Sequence, residues 1–549
     1  MKTAVSIWLR QLASAFILDG VPGACREACR WRHNRRLFAS PRELARQRRQ
    51  KFADSPRFAV ELAWRTVAPD ALARTLDSLL AQTHANWEAH VARPTDAAAA
   101  AVAQDYARRD ARIRGADGTA AETIADYVAR LDAGDLLAPE ALFELAVVCR
   151  AARPDVLFTD EAEFTGCPAR IGRIRFKRNY APDELRAGDG IGQLLVARRD
   201  LWNRPGIAGA TGHDLRLRLC EQARRIDHVP LPLFFQNADF AAAPAADAAA
   251  VQAHLERVGL AGRAEPPSDA PFCRIRYALR GNPTISLVIP NRDSQPLLET
   301  CIASIQRRST YPNFEIVVVE NGSTAPGLAA CYARLVRDSR IRVVEYPRGR
   351  PFNFSALCNF GARQTSGEHL LFLNNDVEVL APNWLEEMLA FSQRADVGAC
   401  GALLLQPDGA IQHAGILLDG LPRHRGRGRV PHDDGAFRHP HELAAVTFAC
   451  CLTRRAVFEQ VGGLDEDFPV AYNDVDYCLK VRRAGLRIVW TPHAELRHRE
   501  SATRGRDLTP AKFLRSVAEA RRLRRKWPAE LNGTDPGANP HLFGHPAAI

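Results

Sequence analysis

The run from Leu370 to Val379, LLFLNNDVEV, is apolar until it stops on Asn374, Asn375 and Asp376, after which apolar alternation resumes. A strand buried on both faces of an α/β sheet ends this way where its carboxyl end opens onto a crevice. An unpaired carboxylate inside the sheet would cost on the order of several kcal/mol. Asp376 is therefore expected at the sheet edge, where it either meets a metal or substrate or caps the helix that follows. Pro382 marks the first turn of that helix, and Trp384, Leu385, Met388, Leu389 and Phe391 recur at helical spacing behind it.

A chain of 549 residues is too long for one ordinary core, and 46% hydrophobic with 25% charged residues is the balance of globular domains, so two or three are expected. The formal charge of +11 suits an acidic partner: nucleic acid, an anionic membrane surface or a phosphorylated substrate. The thirteen cysteines show no paired metal spacing; Cys25 with Cys29 and adjacent Cys450 and Cys451 come nearest, and all read as reduced thiols of a cytosolic protein. No apolar run approaches the roughly 20 residues that span a bilayer. The opening stretch is interrupted by Arg10 and Gln11, which suits an amphipathic helix better than a cleaved signal peptide.

Residues 1–55 form a basic leader, dense in arginine from Arg26 to Arg49, that would lie on an anionic leaflet or pack on its own protein. The alternation of strand and helix then occurs twice, at 56–265 and 283–501, with a linker at 266–282 and a helical tail at 502–549. Shared phrases support a duplication: Asn86-Trp87-Glu88 matches Asn313-Phe314-Glu315, and Leu137-Ala138-Pro139 matches Leu380-Ala381-Pro382.

The second copy carries the chemistry. Its strand Ile285 to Ile289 is closed by Pro290, Asn291, Arg292 and Asp293, and the strand Ile316 to Val319 runs into Glu320-Asn321-Gly322-Ser323. Polar strand ends beside a glycine turn are what a nucleotide pocket at a sheet edge requires. Together with RPFNFSALCNFGA (Arg350 to Ala362), GGLDEDFPVAYNDVDYCLKVRRAG (Gly462 to Gly485) and HRES (His498 to Ser501), they resemble the family 2 glycosyltransferases of the GT-A fold. The likeness is to bacterial enzymes that build O-antigen and other surface polysaccharides, many of them rhamnosyltransferases, and Trp527 to Leu542 is similar to their tail.

The resemblance implies an α/β fold of two tandem GT-A-type, Rossmann-like domains. It also implies inverting transfer of a sugar from a dTDP-, UDP- or GDP-linked donor to a hydroxyl of a saccharide or polyprenyl-linked acceptor. By it Asp376 and His498 hold Mg²⁺ or Mn²⁺, although Asn374 stands where the metal motif usually has its first acid. Asp474 takes the place of the base, with Asp476 and Asp467 competing for the role, and Tyr472 and Asp476 face the acceptor. Pro290, Arg292, Asp293, Glu320, Asn321, Asn353, Asn359, Asn374 and Asn375 form the nucleotide side, and Arg292 either touches the diphosphate or pairs with Glu320. The basic loop Arg423 to Arg429 closes over the donor, meets an anionic acceptor, or is a solvated disordered loop.

The first copy reads as eroded. Asp132 and Asp135 survive, yet Gly212 stands where the base is expected, so a structural or acceptor-holding role is predicted, with a second activity through Asp132, Asp135 and Asp160 as the alternative. The whole chain is expected in the cytoplasm, peripheral on the inner face of the plasma membrane. Two other classes compete: a non-catalytic glycan-binding scaffold, supported by Asn374, and nucleic-acid binding, which rests on charge alone.

Overall fold

The computed structural model describes residues 37–499, 509–532 and 539–541, less 66, 93–94, 116–123, 167–169, 189, 208, 240–246, 269–270, 419–421 and 432–434. Most of the basic leader, part of the alanine-rich stretch after Phe240, the last two residues of HRES and Asp535-Pro536 of the tail lie outside the described residues. The part of the leader that is described, Pro41–Arg49, is a helix with a capping box between Ser40 and Glu43. It packs on its own protein: Gln47 is buried, donates to Glu144 at 2.9 Å and accepts from Thr83 at 2.8 Å.

Two large mixed sheets follow. The first contains β1 (Phe58–Ala63), β2 (Trp87–Val91), β3 (Ile113–Arg114), β4 (Tyr127–Asp132), β5 (Leu136–Leu137), β6 (Val156–Thr165), β7 (Arg170–Arg175), β8 (Leu195–Arg198) and β9 (Ile226–Asn237), in the order β3-β2-β1-β4-β8-β6-β9-β5 with β7 on β6. A hairpin of β10 (Gly262–Glu265) and β11 (Arg274–Tyr277) connects it to the second.

The second sheet opens with β12 (Ile285–Asn291), β13 (Phe314–Glu320), β14 (Ile341–Glu345), β15 (His369–Leu373) and β16 (Val377–Val379). It continues with β17 (Val397–Leu405) and β18 (Ile411–His413), and beside it β19 (Ile416–Leu417) pairs with β20 (Arg423–His424). It ends with β21 (His441–Leu443), β22 (Cys450–Arg454) and β23 (Arg487–His498). Its order is β14-β13-β12-β15-β22-β17-β23-β16, with β18 on β17 and β21 on β23.

Strand for strand the two orders coincide, and so do the senses of pairing. β1 and β12 are parallel to both neighbours, β4/β8 and β15/β22 are antiparallel, β6/β9 and β17/β23 are parallel, and the short β5 and β16 close the edge antiparallel. The segment carrying β19, β20 and β21 is extra to the second sheet.

The apolar runs read in the sequence are the central strands. Ile285, Leu287, Val288 and Ile289 of β12 and Leu370 to Phe372 of β15 are fully buried, as a sheet covered on both faces demands. Both of the first two strands of this half run past their predicted ends, β12 through Pro290 to Asn291 and β13 to Glu320. The helix Phe354–Arg363 lies so close on them that a Cβ at Gly361 would come 2.4 Å from Val288 Cγ1. That glycine is required by proximity.

The halves share one apolar core running from Val156 and Leu217 through Tyr277 to Ile302 and Leu389. Beside it lies a buried ionic cluster. Asp183 pairs with Arg394 at 2.7 Å and Arg186 at 3.0 Å and accepts from the Tyr277 hydroxyl at 3.0 Å. Burial pushes the Asp183 carboxyl up, but Arg394, Arg186 and Arg487 outweigh it and hold it well below the usual carboxylate range. The tail crosses back as well: buried Asn539 donates to both carboxylate oxygens of Asp160, at 2.9 and 2.8 Å, and to the Lys177 carbonyl. Among the described residues no helix is long and apolar enough to cross a membrane.

Candidate active site

At the carboxyl ends of β12 and β15 a cavity of about 740 Å³ opens. Pro290, Arg292, Asp293 and Asn321 form one wall, Asn374, Asn375 and Asp376 the floor with His498, and Tyr472 and Asp474 the opposite wall. Ten of the expected site residues thus meet in one place, drawn from segments as far apart in the chain as Pro290 and His498.

Asp376 and His498 are joined by the sheet edge itself, because β16 pairs with β23 in a register that sets Val377 opposite His498. Asp376 Oδ1 lies 3.1 Å from His498 Nε2, both residues are buried, and Oδ1 has no hydrogen-bond partner. On its other side His498 Nδ1 faces Gln412 Oε1 at 3.3 Å. A carboxylate oxygen and an imidazole nitrogen side by side in a buried corner are ligand types that fit a divalent cation, and Gln412 stands where a metal-binding histidine has its outer partner. Among the described residues no third His, Cys, Asp or Glu completes the corner; Asn374, whose Nδ2 lies 3.4 Å from His498 Nε2, is the nearest further ligand.

Asp474 stands in the first turn of the helix Asn473–Arg483 and accepts from the Val475 amide at 2.8 Å. Burial raises its pKa against the hydrogen bonds from Val475 and Thr447 that lower it. Tyr472, immediately before the helix, has φ 61, a left-handed backbone that a non-glycine residue adopts only where its surroundings enforce it.

Asp293 also has a positive φ, 51, and accepts from the Ala325 amide at 2.8 Å as well as from Thr324. Those two amides hold its carboxyl below the usual carboxylate range. Arg292 pairs with Asp293 at 3.6 Å and not with Glu320.

Four expected site residues do not face the cavity. Glu320 is buried against the Tyr332 hydroxyl and Ser323, at the end of a hydrogen-bonded chain from Asn375 through Asn291 and Tyr332. Asn353 is the N-cap of Phe354–Arg363, accepting from the Ala356 amide and donating to the Glu466 carbonyl at 2.7 Å. Asn359 clamps the same loop, accepting from the Leu464 amide and donating to the Leu464 carbonyl, both at 2.9 Å. Asp476 is fully buried and turned away from the acceptor side, toward Trp527 Nε1 and Lys526 Nζ, each at 2.7 Å. The first two asparagines therefore build the loop 464–469 that supports the site.

The basic loop is folded. Arg423 and His424 lie in β20 and line the cavity, Arg425 stacks on Phe437 at 4.6 Å, and a Cβ at Gly426 would come 2.6 Å from that ring. Sequence reasoning missed Gln412, Thr447 and Arg515, all in the cavity wall; none belongs to a short motif, and only Gln412, in an apolar run, hinted at a buried polar role.

The first sheet is arranged differently at the corresponding edge. Asp135 precedes β5 as Asp376 precedes β16, but the Arg65 guanidinium occupies it at 2.7 Å and the Asn237 amide donates to it at 2.9 Å. Burial pushes Asp135 up to about 6 in spite of Arg65. Gly212 begins the helix Gly212–Gln222, so its second residue, His213, stands where Asp474 stands; it is buried 2.6 Å from the Leu185 carbonyl. Asp160 is taken up by Asn539, His228 and the Lys177 amide. Of the three acids named for a second activity, Asp132, Asp135 and Asp160, the last two are thus engaged by these partners.

Residues 286–462 match glycosyl transferase family 2. An uncharacterized protein of Sinorhizobium fredii is 36% identical over 86% of this chain and 56% of its own length. The O-antigen biosynthesis protein RfbC of Myxococcus xanthus is 35% identical over 86% of this chain and 39% of its own. The chain therefore spans about half the length of these relatives or less. An N-acetylglucosaminyl-diphospho-decaprenol L-rhamnosyltransferase of Mycobacterium tuberculosis is 29% identical over 40% of this chain and 76% of its own length. The matched segment lies in the half of the chain that carries the cavity and includes Asn374, Asn375 and Asp376.

Proposed function

We propose that the second half of the chain is an inverting glycosyltransferase of GT-A type. It moves a sugar from a dTDP-, UDP- or GDP-linked donor to a hydroxyl of a saccharide or lipid-linked acceptor in surface polysaccharide biosynthesis. The observation that carries this reading is the meeting of the Asp376/His498 corner and Asp474 across one cavity, beside a segment that matches glycosyl transferase family 2.

Asp376 and His498 would hold Mg²⁺ or Mn²⁺, which neutralises charge on a leaving nucleoside diphosphate. Arg292, Asn321 and Asn375 lie on that side and bind the donor. Asp474 accepts the proton of the acceptor hydroxyl as its oxygen bonds to the anomeric carbon and the bond to the diphosphate breaks. Burial raises its pKa, which strengthens it as a base. Tyr472 and Arg515 line the wall beside it, where the acceptor enters.

The first half serves as scaffold or acceptor platform, its cation position taken by Arg65. The rhamnosyltransferase and O-antigen names of the relatives favour a lipid-linked acceptor and a place at the inner face of the plasma membrane. The test is nucleoside diphosphate release by the full chain from UDP-glucose, dTDP-rhamnose and GDP-mannose. Release from one donor, abolished in Asp474→Asn, is expected; release unaffected by that substitution overturns the assignment of the base.

A further inference from the structure

We propose that the C-terminal helix Pro510–Lys526 is a working part of the active site, in which Glu519 and Trp527 are positioning residues for the segment that carries Tyr472 and Asp474. This rests on the reading of Asp474 as the base. The helix follows the family 2 match and belongs to the segment expected from sequence as a helical tail.

Its contacts fall on one face. Residues 515, 519, 522 and 526 recur at the spacing of helical turns, and each reaches the wall of the cavity or the segment behind it. Arg515 lines the cavity itself. Glu519 Oε2 accepts from the Ala471 amide at 2.6 Å and the Val470 amide at 3.3 Å. Arg522 donates to the Asp467 carbonyl at 2.7 Å, and Lys526 pairs with Asp465 at 2.6 Å. Just beyond the helix, the Trp527 indole, fully buried, donates to Asp476 at 2.7 Å.

The grip brackets the functional turn. Glu519 holds the backbone directly before Tyr472, and Trp527 holds Asp476 in the first turn of the helix that bears Asp474. Between these two holds lies the positive φ of Tyr472, a conformation that persists only where neighbours over-determine it. A buried carboxylate used to fix two adjacent amides is more than packing requires: an apolar residue of the same size would fill the space and leave both amides unpaired.

The experiment compares the full chain with Glu519→Leu and Glu519→Gln; the glutamine carbonyl keeps an acceptor for both amides. Hydrogen exchange of the peptide 468–476 is expected to rise at least tenfold in Glu519→Leu and to stay near wild type in Glu519→Gln, with β12 and β15 unchanged in both. In the donor assay with UDP-glucose, dTDP-rhamnose and GDP-mannose, Glu519→Leu should lose ten- to hundredfold in kcat with donor KM unchanged, and Glu519→Gln should recover most of it. Unchanged exchange in Glu519→Leu, or a loss that the glutamine does not recover, overturns the proposal. Should no donor be turned over even by wild type, the transferase reading fails while exchange still decides the clamp.

Discussion

Asp376 Oδ1 and His498 Nε2 lie 3.1 Å apart in a buried corner, and Gln412 Oε1 stands 3.3 Å from the other ring nitrogen. The pair is made by the edge of the sheet, where Val377 of β16 sits opposite His498 of β23. A divalent cation bound there would be held by one carboxylate oxygen and one imidazole nitrogen that the fold has already brought together.

Replacing His498 by Ala should therefore weaken Mn²⁺ binding at least tenfold, the order of loss expected for a metal ligand or its close support. Gln412→Leu, which removes only the polar partner of Nδ1, should give the same direction of change. Isothermal titration of Mn²⁺ in the presence of nucleoside diphosphate measures both. Unaltered affinity in His498→Ala removes the histidine from the site.

Asp474→Asn should lower kcat about 10²- to 10⁴-fold, the range for a lost general base, and leave donor binding intact. Because burial raises the Asp474 pKa above its ordinary 3.8, the wild-type rate should fall on acidification through a midpoint above that value. The ionised form is the active one, so activity is lost as pH drops and retained as it rises. A pH profile of kcat/KM for wild type checks this, and a rate indifferent to pH on the acid side contradicts it.

In the first half, Asp135 titrates in the opposite sense from an ordinary paired carboxylate. Its folded pKa of about 6 lies above the ordinary 3.8, so the folded state binds a proton more tightly than the unfolded chain. Its contribution to stability rises as pH falls from above 6 towards 4, by at most about 3 kcal/mol. Denaturant unfolding of wild type and Asp135→Asn at pH 7 and pH 4.5 should show wild type gaining on the variant at the lower pH.

Asn359→Ala should destabilise the domain by about 1–3 kcal/mol, because it strips the Leu464 amide and carbonyl of their buried partner. Donor KM should stay within about twofold, since the side chain points away from the cavity, a change of roughly 0.4 kcal/mol at most. A large KM effect at unchanged stability would return Asn359 to the nucleotide side.

The legible parts of this chain were those with a local signature. β12, β13 and β15 are buried on both faces and therefore continuous apolar runs, and the stop at Asn374 to Asp376 marked the floor of the cavity. The motifs of the resemblance include Asp474 and His498, which line the cavity, but motifs carry residue types without directions. Asn353 and Asn359 are polar groups used as a cap and a clamp, and Glu320 ends a strand yet turns to Tyr332. The role of Arg65 depends on β1 and β4 lying side by side, and the role of Glu519 on a contact almost fifty residues distant. Neither leaves a periodic or spaced trace.

The central claim, that Asp376 marks a metal-assisted nucleotide-sugar site, is tested most directly by thermal unfolding of the full chain. UDP, dTDP and GDP are each added with and without Mn²⁺, to wild type and to Asp376→Ala. A rise in Tm with one nucleotide that requires Mn²⁺ and disappears in Asp376→Ala is the predicted result, about 2.7 kcal/mol of stabilisation when the ligand is at a hundred times its Kd. A nucleotide-dependent rise that is indifferent to the metal and survives in Asp376→Ala would contradict the account.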